Sequence, residues 1–276
     1  MTNEETEFLK QAAQFLEHPS FLIRMTNLVG APLEKSLKML PEKAQTKIHD
    51  VVRKSLGKGL EVISRSIDLD PKSSFSDANL RSVKSGWIHS AASFGTGAVG
   101  GFFGLAALPI ELPITTGVML RSIANIANEF GHDLADPQVR LECLYVLSLG
   151  AKSSSDDAMD SAYWTSRVAF SELIHEASVF IARSTAAQLS RNLKDGSGPV
   201  LVRLIAQVAS KFEIVVSEKA MAELVPVIGA VGGGVINAAF NQYFSDAARY
   251  HFGLRALEKK YGQNVVRQLY AGKDGV

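Results

Sequence analysis

Apolar residues recur at helical spacing along almost the whole chain. Ile48, Val52, Leu56, Leu60, Ile63 and Ile67 share one face, and Lys47, Asp50, Arg53, Lys54 and Lys58 take others. That pattern predicts an amphipathic helix opening at Pro41 and ending in the turn residues 68–74. A first helix over residues 4–17 stops at His18-Pro19-Ser20, and a second helical region, Phe21 to Leu40, is broken or kinked at Gly30-Ala31-Pro32, where proline lacks a donor. Ser76 is a candidate cap for the next helix. Further on, a helix is expected from about Pro113 to Phe130 with Gly131 as its stop, and Asp136-Pro137 opens another to about Leu149. Ser154-x-x-Asp157 resembles a capping box before a helix reaching about Asn192. After the Asp195–Pro199 loop, Leu201, Leu204, Ile205, Val208, Phe212 and Val215 mark a helix that Pro226 should kink or end. A polar helix from Asn241 to Tyr261 and a short last helix follow. No strand-period alternation competes, so the fold class expected is all-α, a single multi-helix domain with no sheet.

Two stretches depart from the amphipathic pattern, and the domain is expected to be organised around them. Residues 86–120 and 224–240 are rich in glycine, alanine and large apolar residues, and Glu111 is the only formal charge between Lys84 and Arg121. Gly97/Gly101, Gly100/Gly104 and Gly229/Gly233 are each four apart, which strips one helix face so that another backbone approaches closely. Each glycine costs about 1 kcal/mol of helix stability relative to alanine, so such helices need packing or a bilayer to support them. Three readings follow, in this order. The runs pack on each other as a buried centre, they meet lipid or a partner conditionally, or they span a membrane. Residues 90–110 have the roughly 20 apolar residues that spanning requires, and 224–240 fall short. Both are weakly hydrophobic beside leucine-rich spans. Pro109 and Pro113 should break the first run into two helices with an irregular corner.

Charge and composition narrow the function classes. Lys+Arg is 29 and Asp+Glu is 28, a net charge of +1, without the basic excess of a nucleic-acid partner. The single cysteine, Cys143, excludes an internal disulfide and a thiolate zinc cluster and points to a reducing compartment. The acidic start, Met-Thr-Asn-Glu-Glu, lacks the basic and apolar regions of a secretory signal. The expected location is the cytoplasm, with the inner face of the membrane as the place of conditional association.

Candidate chemistry is sparse. Gly95-Thr-Gly-Ala-Val-Gly100 matches the dinucleotide fingerprint as a string, but no strand precedes it, and Gly150-Ala-Lys-Ser lacks the upstream glycine of a phosphate loop. Glu129-x-x-His132 and Glu172-x-x-His175 have the spacing of a di-iron pair, with Glu142 and Glu223 as conceivable further ligands. Surface acids with incidental histidines are the favoured account, and no metal, cofactor or catalytic residue is assigned. Glu111 stands apart as a lone carboxylate in an apolar run, which is costly to bury unless paired or bonded. It could cap the helix starting near Pro113 or pair with an arginine such as Arg121, Arg249 or Arg255. Asn237, Asn241 and Arg249 share one helical face and are either its polar partners or a solvated stripe. Glu111, Arg121, Asn125, Asn237, Asn241, Arg249 and Arg255 make the candidate polar site. Gly97, Gly100, Gly101, Gly104, Gly229 and Gly233 make the candidate packing or lipid-contact set.

Two ordered blocks of residues resemble the EcsC family of bacterial proteins. The first is Glu111-Leu-Pro113, Arg121-x-Ile123-Ala124, Phe130-Gly131-x-Asp133, Asp136-Pro137 and Arg140, with a Leu-Gly ending at Gly150. The second is Val225-Pro-Val-Ile-Gly-Ala230, Asn237, Phe240, Ala248-Arg-x-His-Phe252, Arg255-x-Leu-Glu258 and Tyr261-Gly262. The family usually has aspartate where Glu111 stands. The resemblance implies an EcsC-like helical domain over residues 20–265, leaving 1–19 as an N-terminal helix or arm and 266–276 as a tail. The family is named for a protein encoded beside an ABC transporter, and it supplies no catalytic residues to carry over. The expected function is a non-enzymatic, peripheral membrane- or transporter-associated accessory protein, with membrane lipid or a membrane protein as partner. The alternative is an enzyme or small apolar-ligand protein with its polar site around Glu111.

Overall fold

The computed structural model describes residues 1–18, 21–29, 42–64, 75–82, 107–151, 162–224 and 233–272. Gly97, Gly100, Gly101, Gly104, Gly229, Pro226 and the Ser154-x-x-Asp157 box lie outside them. Among the described residues every regular element is a helix. In chain order these are α1 (Asn3–Glu17), α2 (Phe21–Val29), α3 (Glu42–Ser64), α4 (Leu108–Glu129), α5 (Pro137–Val146), α6 (Ala162–Ala182), α7 (Ala186–Asp195), α8 (Pro199–Leu224), α9 (Gly233–Tyr261) and α10 (Gln263–Tyr270). Residues 75–82 are helical as well, so Ser76 lies inside that segment rather than capping it.

The helix ends follow local chemistry. Thr2 and Glu5 form a reciprocal capping box at α1. Asp136 Oδ1 accepts from Gln138 N at 2.8 Å and Pro137 takes the first turn of α5. Gly131 has a φ of 77°, a conformation a side chain disfavours, and it turns the chain out of α4.

Further expectations need correction, among them the polar helix expected from Asn241, which starts at Gly233 as α9. α4 starts at Leu108, and neither proline breaks it. Pro109 occupies an opening position where an N–H has no intrahelical acceptor, and Pro113 removes only the bond to the Pro109 carbonyl. The single helix expected up to Asn192 is two, because Thr185 and Gln188 form a second capping box that starts α7 afresh. α5 ends at Val146, and tighter turns carry the chain on, with Ser148 N donating to Tyr145 O and Leu149 N to Val146 O.

The core is continuous from the first helix to the last. α4 lies between α3 and α9, α8 packs against α3 and α6, and α1 lies on α9. The two ends set aside as arm and tail belong to this core. Phe8, Leu9, Ala12 and Leu16 of α1 are buried, as are Val266 and Tyr270 of α10. Glu5 ties α1 to the end of α9, accepting from Lys260 Nζ at 2.8 Å and the Tyr261 hydroxyl at 2.9 Å.

Candidate functional site

Helix α8 continues its apolar stripe Phe212, Val215 into two charged residues, Lys219 and Glu223, at helical spacing. Lys219 is fully buried. Its Nζ donates to Glu111 Oε1 at 2.7 Å and to Glu223 Oε1 at 2.8 Å, and it lies 5.7 Å from the centre of the Phe240 ring. The partner of Glu111 is therefore a lysine from α8, not an arginine. Glu111 does not cap a helix starting at Pro113. It lies in the first turn of α4, and its carboxylate turns inward, 7% exposed.

Neighbouring helices bring more polar groups to this level. α9 runs antiparallel to α8, since Phe212 meets Phe244 edge-on and stacks on Phe240 while Lys219 reaches Phe240. α9 runs parallel to the chain of α4, with contacts at separations of 123 residues (Ser122–Ser245) and 120 (His132–Phe252). Both registers place Asn237 level with Lys219 and Thr115. Asn237 is fully buried and neither of its amide atoms has a hydrogen-bond partner. The hydroxyls of Thr115 and Thr116 are buried and unpartnered too. The layer lies where both glycine-rich stretches attach, one entering α4 and the other joining α8 to α9.

Two carboxylates share one ammonium here. Burial alone would lower the Lys219 pKa, but Glu223 and Glu111 outweigh it and raise it. Burial raises the Glu223 pKa, and Glu111 adds to the rise while Lys219 opposes it. Lys219 is thus a fixed cation, and Glu223 is the acid that takes up a proton more readily than usual.

The other candidate residues disperse. Asn241 is buried, so the solvated-stripe reading fails for both asparagines of α9. Arg249 instead donates to Asn79 Oδ1 at 3.1 Å and lies over the Tyr250 ring. Arg121 is exposed, and Asn125 is half-buried on the same helix. Arg255 belongs to a second polar cluster, donating to both oxygens of Glu142 at 3.2 and 3.1 Å.

The sequence reading named Arg255, Glu142, His132, His251 and Glu258 in separate connections and did not bring them together as this second cluster. His251 is buried, its Nδ1 3.0 Å from the Tyr163 hydroxyl. Its Nε2 lies 3.5 Å from Glu142 Oε2, an ion-pair distance that falls short of a hydrogen bond. Burial lowers the pKa of His251, leaving it neutral near pH 7. Burial likewise pulls His132 down to about 4, while its Nε2 donates to the Phe252 carbonyl at 3.0 Å. For Glu142 burial pushes upward, yet the His251 imidazole beside it, and after it Arg255 and His132, bring it down to about 2. Arg167 and Glu258 close the cluster with a bidentate pair at 2.7 Å on both arms. Every charge is matched inside the fold, as structural networks require.

The paired Glu-x-x-His motifs do not converge. Glu129 pairs with Arg81, and Glu172 and His175 are exposed. Among the described residues no group of three or more histidine, cysteine or acidic side chains is placed to hold a metal ion. Nor is any helix among them long and apolar enough to cross a membrane.

The chain is similar to Protein EcsC of Bacillus subtilis (strain 168), 22% identical over 265 residues that span 93% of this chain and 96% of that protein. No solved structure matches it. The model of the EcsC protein family matches residues 3–257, from the first buried helix to the last turns of α9, and this chain belongs to that family.

Proposed function

We propose that this protein is a non-enzymatic accessory protein acting at a membrane surface, with the opening of α4 and the glycine-rich stretch before it as the part that meets lipid. The observation that carries this reading is the outward face of α4. Ile110 is 73% exposed and Ile114 51% exposed, with Pro113, Gly117 and Val118 half-buried beside them. The one acid of this stretch, Glu111, is turned inward to Lys219, so the outer face carries no charge until Arg121. Large apolar side chains adjoining one another in water mark an interaction surface. A cation at the end of such a face suits the headgroup region. Lipid is favoured over a protein groove because the same uncharged character continues through the preceding residues, 85–107.

Flotation of the full chain with phosphatidylcholine vesicles tests this. The protein should rise with the vesicles, and Ile110→Glu with Ile114→Glu together should leave it at the bottom while its helical circular dichroism is unchanged. A wild-type chain that stays in the dense fraction sinks the proposal.

A second reading, a small apolar-ligand protein, draws support from the unpartnered Asn237 and Thr115 beside the buried Lys219. Unsatisfied buried polar atoms ask for a water or a ligand. Native mass spectrometry separates the two: a retained small molecule in wild-type protein supports a ligand site, and bare protein that still floats supports the surface reading.

A further inference from the structure

Arg140 is a second buried cation, and unlike Lys219 it has no carboxylate hydrogen-bonded to it among the described residues. It is 6% exposed. Its Nη1 donates to the carbonyls of Leu134 and Ala135 at 2.9 and 3.1 Å, while its buried Nε has no hydrogen-bond partner. The nearby acids are turned elsewhere: Asp133 Oδ1 accepts from Ala135 N and Asp136 Oδ1 from Gln138 N, each at 2.8 Å. Burial lowers the Arg140 pKa and outweighs Asp136 and Asp133, which favour the charge from a distance, so a further negative group beside it would be stabilising.

The space beside it has the chemistry to do so. Arg140 lines a cavity of about 250 Å³ together with Glu61, Ile181, Ser184, Ala186 and Leu189. Ala186 is the first residue of α7. In that first turn Gln188 N and Leu189 N are taken by Thr185, leaving the N–H groups of Ala186 and Ala187 for a ligand. Free N–H groups and the positive end of the helix dipole favour an anion there. The Ser184 hydroxyl is committed to the Phe180 carbonyl at 2.8 Å. Glu61 is the one acid in the lining, half-buried, and it has an interaction of its own. The walls between, Ile181 and Leu189, are apolar and buried, which limits the cavity to one small charged group.

We infer that this cavity binds a small oxyanion, a phosphate or the phosphate of a monoester, between the Arg140 guanidinium and the amino end of α7. Arginine presents planar paired donors that match such a group. The site is separate from the outward face of α4, and its test does not depend on the membrane reading.

Calorimetric titration of the full chain with inorganic phosphate, against chloride at equal ionic strength, should show saturable binding. Arg140→Lys keeps the charge and should weaken binding at least tenfold, but it also disturbs the bonds to Leu134 and Ala135. Ala186→Glu is therefore the second variant: it places a carboxylate in the first turn, where a helix accepts it. It should abolish phosphate binding with an unchanged melting temperature. Sedimentation with phosphatidic acid vesicles against phosphatidylcholine vesicles distinguishes the sources of the phosphate. Binding to the former that phosphate competes away assigns a lipid headgroup, and phosphate binding without it assigns a free anion. No saturable phosphate signal, or one that Ala186→Glu leaves unchanged, overturns the inference.

Discussion

Lys219 is the residue on which the centre of this molecule turns. It is fully buried, and its charge is met by Glu111 and Glu223 from two helices. Lys219→Met would leave two enclosed acids without a cation, and breaking a buried pair in this way costs about 3–5 kcal/mol. Urea denaturation at pH 7 should show that loss. Glu223→Gln should behave differently. The folded pKa of Glu223 is raised, so its favourable contribution is complete below its ordinary value of 4.5 and is lost as pH rises through the folded value. The glutamine variant removes that loss and still offers Lys219 an oxygen. It should therefore match or exceed wild-type stability at pH 8, relative to pH 5. A loss as large as that of Lys219→Met would show instead that both acids are required. Both charges were visible in the sequence as interruptions of the stripe that runs through Phe212 and Val215. Their burial was not, because an exposed Lys–Glu pair four apart looks the same on paper.

At the scale of elements, α1 illustrates how a close approach decides an assembly. Gly253 of α9 lies directly beneath Phe8, and a Cβ there would run into the aromatic ring. That ring is held on other sides by Phe75, Phe130 and Tyr250, with centroids 5.2, 6.3 and 5.5 Å away, so it has nowhere to turn. Gly253→Ala should cost about 1–3 kcal/mol by overpacking, outweighing the roughly 1 kcal/mol that alanine adds to a helix interior. Hydrogen exchange should show α1 losing protection before α9 does. An unaffected α1 would mean that the helix docks through its Glu5 contacts alone. Residues 1–19 read as a separate arm in sequence, since a short amphipathic helix carries no mark of what it packs against.

Over the whole molecule, the second polar cluster makes stability fall with acid. His132 has a folded value of about 4 against an ordinary 6.5, so the unfolded chain binds its proton first and the folded state loses stability between those values as pH drops. The loss from this group amounts to about 3 kcal/mol at most. Glu142, at about 2 against an ordinary 4.5, adds a further loss as pH falls through that lower window. The contribution of each group is thus fully present above its ordinary value. Denaturant midpoints measured from pH 7.5 to pH 4 should decline, and His132→Gln, which can still donate to the Phe252 carbonyl, should flatten the upper part of that decline. A wild-type midpoint constant from pH 7 to pH 4.5 would rule out the proposed burial of His132.

The sequence by itself determined the helical class, most helix ends and the family. Those features depend on local matters: the 3.6-residue period, caps such as Asp136 before Pro137, and the stop at Gly131. It also singled out Glu111, because a charge in an apolar run is conspicuous wherever it lies. Only the tertiary structure decided what Glu111 meets. Its partner is 108 residues away, and a pairing at that separation leaves no periodic trace. The same holds for Arg255, which left the Glu111 group for Glu142, and for Arg140, whose family position said nothing of the cavity beside it. Packing, not composition, turned one face of α4 toward Lys219 and left Ile110 and Ile114 outside.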